Sequence, residues 1–302
     1  MNVQPASEAN TQGLRRRTLA STGAFFLGLA VLAGGHAIAA DNAPPRSRTV
    51  ISAGEARIDV IVDGTGPAVV LLPSSQRDSE DFDELASRIA SAGLRVLRPQ
   101  PRGMGASTGP MDKLTLHTLA SDVAETVRQL GAGRAVLVGH AYGHFVARVV
   151  DLDHPALVRG VVVAGAAAKV FPPQMVQSLA IAATPSEPEA ERRKHLQIAF
   201  FAPGNDPGVW LSGWHPSLRE VYRKAATVPP KETWWDVSNA PILDLQGSDD
   251  PWRPKSTSNE LKDLLGDKVT VQTVPNASHA LIPEQPAAVA NAIVAWIRTL
   301  KP

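Results

Sequence analysis

The 302-residue chain contains no cysteine. Disulfides, thiolate nucleophiles and cysteine-ligated metals are therefore excluded. An excess of one charge is also missing, since 30 Lys and Arg stand against 29 Asp and Glu. That balance gives no electrostatic reason to expect nucleic acid or an anionic membrane as partner. A long apolar run is lacking too. Leu19 to Ala33 holds 15 residues broken by Gly, Ser and Thr, whereas a helix that spans a bilayer needs about 20. No internal repeat or low-complexity tract is found. The length suits one large α/β domain and is too short for two ample ones.

What is there begins with a targeting pattern. Arg15-Arg16-Arg17 forms a basic segment, the Leu19–Ala33 stretch follows, and Ala37-Ile38-Ala39 is a small-x-small cleavage site. Residues 1–39 read as a signal peptide, with the mature chain starting at Ala40. Arg16-Arg17-Thr18-Leu19 is similar to a twin-arginine export signal, and a general secretory signal fits equally well. Either route places the mature protein outside the cytoplasm, periplasmic or secreted, with no stable membrane span after cleavage. Residues 40–48 read as a polar linker, and 49–302 as the folded domain.

Within that domain, apolar runs alternate with helical periodicity. Ala56–Val62 alternates apolar and polar, as a half-exposed strand does. Ala68–Leu72, Ala135–Val138, Val158–Ala164 and Ile242–Leu245 are continuous apolar runs, as buried parallel strands require. Arg95–Arg98 and Val269–Val274 complete the strands. Phe82, Leu85 and Ile89 follow helical spacing, as do Leu116, Leu119, Val123 and Val127, and Val289, Ile293 and Trp296. The alternation predicts a doubly wound, mostly parallel sheet with helices on both faces. Residues 166–238 break the pattern with Ala, Pro and four of the six tryptophans. They read as a mostly helical cap.

The stretch Val136-Leu-Val-Gly-His-Ala-Tyr-Gly-His144 stands at the centre of this order. It reads as strand, sharp turn, helix, with glycines where a Cβ would clash. Such a turn normally presents a serine nucleophile in Gly-x-Ser-x-Gly. Here the tip is Ala141, which has no atom that can attack a substrate. Two later loops carry an acid and a base, Gly247-Ser-Asp-Asp250 up to Pro254, and Ala277-Ser-His279 before Pro283-Glu284-Gln-Pro286.

These three motifs, in this order, resemble the α/β-hydrolase fold family over roughly residues 56–300. The resemblance implies an eight-stranded α/β-hydrolase fold with a cap after the sixth strand. It implies His279 as base and Asp250 as the acid that fixes its tautomer; Asp249 is the competing acid, and the family's spacing to proline fits Pro254 better from Asp250. It implies oxyanion-hole amides at Tyr142 and Ser75, with Pro73-Ser74 where the family has His-Gly. His140, Ser74, Trp210 and Trp214 are expected around the pocket. No cofactor is implied. The His140-x-x-x-His144 spacing does not make a metal site, because the two lie on the turn and on the first helical turn.

The expected activity is hydrolysis of ester-like bonds in a small molecule. The nucleophile position at Ala141 is vacant, so the route would use a water activated by His279. Two alternatives stay open. One is a cofactor-free oxygenase or lyase in which the His–Asp pair takes a proton from the substrate, with the cap tryptophans suited to a flat aromatic ring. The other is a catalytically dead protein that only binds a ligand. Oligomeric state is not legible.

Overall fold

The computed structural model describes residues 44–301. The signal-peptide reading and the start of the linker lie outside the described residues. Among the described residues, eight strands form one sheet in the order β1-β2-β4-β3-β5-β6-β7-β8. They are β1 (Arg46–Ala53), β2 (Ala56–Asp63), β3 (Ala68–Leu72), β4 (Arg95–Pro99), β5 (Ala135–His140), β6 (Val158–Ala164), β7 (Ile242–Gly247) and β8 (Val269–Val274). β1, β2 and β4 pair antiparallel, and every other pair is parallel.

The helices follow from the spacing of apolar residues. In chain order they are α1 (Asp83–Ser91), α2 (Leu116–Leu130), α3 (Tyr142–Asp153), α4 (Gln174–Ala182), α5 (Glu189–Ala199), α6 (Arg219–Ala225), α7 (Glu260–Leu265), α8 (Leu281–Glu284) and α9 (Pro286–Thr299). Strand side chains alternate between two cores. Val70, Leu72 and Leu137 pack on α2 and α3, while Val69, Leu71, Val136 and Val138 pack on α1 and α9. Central strands buried on both faces must be largely apolar, and β3 and β5 are, up to His140 at the end of β5.

Two expectations are corrected. Arg46–Arg48 belong to β1 rather than to a linker. They form an exposed edge, paired with β2 across the turn at Gly54, whose φ is +60°. Arg46 bonds Asp63 at 2.6 Å and Arg48 bonds Asp59 at 2.7 Å. Such charged edge residues carry no apolar alternation to read. The segment between β6 and β7 is less helical than expected. It holds α4, α5 and α6, separated by irregular stretches and single turns. Prolines 172, 173, 185, 188, 203, 207, 216, 229, 230 and 241 remove helix donors and stop the helices from merging. Among the described residues, no helix is long and apolar enough to cross a membrane.

Candidate active site

β5 ends directly in the turn. Ala141 takes φ +47° and ψ −116°, and α3 begins at the next residue. Its amide donates to the Ala164 carbonyl of β6 at 3.0 Å, and its carbonyl accepts from His144 N at 3.0 Å. The flanking glycines are sterically required. A Cβ on Gly139 would strike the backbone of Gly143 and His144, and one on Gly143 would strike the Leu72 carbonyl. The elbow is thus complete around a tip that carries a methyl group.

The acid and base meet beside it. His279 Nδ1 lies 3.0 Å from Asp250 Oδ2, with both side chains buried. A carboxylate only accepts, so the proton sits on Nδ1 and Nε2 keeps its lone pair. Asp250 Oδ1 accepts from the Trp252 amide at 2.8 Å. Asp249 is exposed and accepts from Ser248 Oγ instead, so only Asp250 faces His279. The base loop is held by Glu284, whose carboxylate takes the amides of Ser278 and Ala202, each at 2.6 Å. Burial raises the Glu284 carboxyl above its ordinary value.

His140 stands behind the base. Its Nε2 donates to the His279 carbonyl at 2.8 Å. Burial, then the neighbouring His279, pushes its ionisation down to about 3, so it is a neutral positioning group. His144 donates from Nδ1 to the Ala141 carbonyl at 2.5 Å, and burial holds it well below its ordinary value. The two histidines therefore serve separate carbonyls. Among the described residues, no group of three or more His, Asp or Glu is placed to hold a metal.

A cavity of about 260 Å³ opens over the tip, bordered by Ala141, Tyr142, His279, Ser74 and Ser75. The Ser75 amide donates to no protein group among the described residues. Phe171, Phe200 and Trp252 supply the apolar wall. Trp252 also stacks on His279, with ring centroids 5.1 Å apart and planes 27° apart.

Three pocket expectations are corrected. His140 packs behind His279 and does not border the cavity. Trp210 packs on His140 and Phe200, and it forms an edge-to-face pair with Trp214 whose corner holds the Arg77 guanidinium, 4.8 Å from each ring. Trp234 and Trp235 lie against His144 and Arg148. No cap tryptophan borders the cavity, because these rings fill the base of the cap and the flank of α3. The sequence reading missed Trp252, Phe200, Glu284 and Gln76. Trp252 and Glu284 sit inside the motifs that named Asp250 and His279, so position could have found them. Nothing in the sequence marks Phe200 or Gln76.

Comparison with known proteins places this arrangement. The model of the alpha/beta hydrolase family matches residues 69–292. The chain is 24% identical over 257 residues to sn-1-specific diacylglycerol lipase ABHD11 of Mus musculus, covering 78% of this chain and 82% of that protein. It is 30% identical over 107 residues to bifunctional epoxide hydrolase 2 of Sus scrofa, which is 35% of this chain and only 19% of that protein. Among solved structures, an esterase from Exiguobacterium antarcticum superposes with a TM-score of 0.68 at 19% identity, covering 84% of this chain and all of that one. The sheet order, the glycine-locked elbow and the match over residues 69–292 converge, and the chain belongs to the alpha/beta hydrolase family.

Proposed function

We propose that this protein hydrolyses ester-like bonds of a small molecule by activating water, with His279 as general base and Asp250 as its orienting acid. The observation that carries this reading is the buried 3.0 Å His279–Asp250 pair beside an elbow tip without a hydroxyl. The space above the Ala141 methyl takes the water. His279 Nε2 removes one proton while the oxygen bonds to the acyl carbon. The negative charge moves to the carbonyl oxygen, which the Ser75 and Tyr142 amides stabilise. The imidazolium, balanced by Asp250, returns its proton to the leaving oxygen as the acyl–oxygen bond breaks. The products are one carboxylic acid and one alcohol. Hydrolase names among the relatives support the reaction class.

Loss of a serine nucleophile typically costs on the order of a millionfold in turnover, while the oxyanion hole and binding keep roughly a thousandfold over water. Slow turnover is therefore expected. The test is 4-nitrophenyl acetate hydrolysis by the native protein, His279→Ala and Ala141→Ser. His279→Ala should lose about a hundredfold or more, and Ala141→Ser should exceed the native rate. Native turnover no greater than that of His279→Ala overturns the reading. In that case activity in Ala141→Ser alone assigns the native protein to ligand binding or to proton abstraction from a substrate. We also propose that the mature chain acts outside the cytoplasm. The support is the Arg15-Arg16-Arg17, Leu19–Ala33 and Ala37-Ile38-Ala39 series.

A further inference from the structure

A second, inner cavity of about 50 Å³ lies behind the loop after β3. Its apolar walls include Ile58, Leu72, Met104, Leu119, Val123 and Val146, and Ser74, Ser75, Gln76 and Tyr142 close it. Arg102, Asp122, Gln100 and Tyr222 also border it, but each is bonded within the protein: Arg102 to Asp122 at 2.7 Å, Gln100 Oε1 to the Ser79 amide and the Tyr222 hydroxyl to the Arg102 carbonyl. The four closing residues, Ser74, Ser75, Gln76 and Tyr142, also border the cavity over Ala141. The two spaces therefore meet at the amides proposed to bind the oxyanion. His279 borders only the outer one. A leaving group must face His279 to receive its proton. A carbonyl seated on Ser75 and Tyr142 then directs its acyl chain into the inner cavity.

Gln76 sits at that junction. It is 1% exposed, and among the described residues neither its Oε1 nor its Nε2 has a hydrogen-bond partner. Its backbone is fixed, with φ +62° and a carbonyl that accepts from the His215 amide at 2.9 Å. A buried carboxamide with neither bond made is costly to keep, and the other walls of the inner cavity are mainly apolar. We infer that Gln76 is the specificity-determining residue of this site, and that the substrate carries a short acyl group with a hydroxyl or amide for its carboxamide to bind. At about 10–15 Å³ of such space per water-sized group, the inner cavity of about 50 Å³ accepts an acyl chain of about three to five heavy atoms.

This inference rests on the hydrolytic reading, and its test separates the two. 4-Nitrophenyl glycolate and 4-nitrophenyl propionate differ by a hydroxyl in place of a methyl. Their kcat/KM values, each divided by its hydroxide-catalysed rate, should favour glycolate by at least about tenfold in the native protein, since a site built to bond a hydroxyl rejects the analogue without one. In Gln76→Leu the ratio should fall to about 1. Because it is a ratio within one sample, a reduced folded fraction does not move it. No native preference, or a preference that survives Gln76→Leu, overturns the inference and assigns the carboxamide to internal water. If both esters turn over no faster than in His279→Ala, the hydrolytic reading has failed, and binding decides Gln76. Titration of tryptophan fluorescence with glycolamide and propionamide should then show tighter glycolamide binding, abolished in Gln76→Leu. Equal affinities overturn the assignment.

Discussion

Ala141 is a non-glycine residue at φ +47°, where a side chain is strained by roughly 1–3 kcal/mol. Ala141→Gly should therefore stabilise the fold by about 1 kcal/mol, after the entropic cost of glycine in the unfolded chain. Denaturant midpoints check this, and a destabilised variant would mean that the methyl packs rather than strains. His140 gives a pH signature. The unfolded chain protonates this ring near pH 6.5, whereas the folded chain does so only at about 3. Its contribution to stability is whole above pH 6.5 and is lost as pH falls towards 3. Between pH 7.5 and pH 5 the loss is about 2 kcal/mol. His140→Gln keeps a donor for the His279 carbonyl and cannot protonate, so its stability should fall by about 2 kcal/mol less over the same interval. Equal declines would place a charged His140 in the folded protein. Single residues were also where the sequence was least legible. His279 and Asp250 stood in motifs with fixed spacing. Trp210 and Trp214 had only a cap address, and whether such a ring faces a ligand or a neighbouring Arg77 is decided by packing far away in sequence.

At the scale of elements, β5, the turn and α3 form one rigid unit, and its far end is anchored as firmly as its tip. Asp151 accepts from the amides of Asn239 and Ala240 at 2.7 and 3.1 Å, and from Ser238 Oγ at 3.2 Å. Arg148, one turn earlier, donates to the carbonyls of Trp234 and Val237, each at 3.0 Å. The chain entering β7 is thereby tied to the helix that bears Ala141, which fixes β7 and hence Asp250 relative to the elbow. Asp151→Ala leaves the buried Ala240 amide without an acceptor and should cost about 3 kcal/mol. Urea unfolding measures the loss, and faster hydrogen exchange at Asn239 and Ala240 localises it. A change below about 0.5 kcal/mol, the range of an ordinary surface substitution, would show that β7 is placed by the sheet alone. The parallel strands were legible because burial on both faces leaves no polar position in β3, in β5 before His140 or in the core of β6. β1 was not, because an edge strand alternates weakly and Arg46 and Arg48 serve ion pairs. The cap helices were obscured by their prolines.

At the scale of the molecule, the near-zero net charge and the missing cysteines bear on where the fold can operate. No disulfide has to form and no thiol has to be kept reduced, so the domain can fold on either side of a membrane. The sequence before it is not neutral. Removing residues 1–39 removes Arg15, Arg16 and Arg17 against the single acid Glu8. That local excess, followed by an apolar stretch and small residues at 37 and 39, matches what export machinery reads. Expression of the full chain in a bacterium should yield protein outside the cytoplasm whose N-terminal residue is Ala40. Full-length protein retained in the cytoplasm would overturn this. The route is decided separately by replacing Arg16 and Arg17 with lysine. A general secretory signal needs only the positive charge and should be unaffected. A twin-arginine signal depends on the guanidinium pair, which lysine does not reproduce, and its export should stop. In that second case the His279–Asp250 pair would be assembled before the chain crosses, and 4-nitrophenyl ester turnover should appear in the cytoplasm of cells carrying the lysine variant.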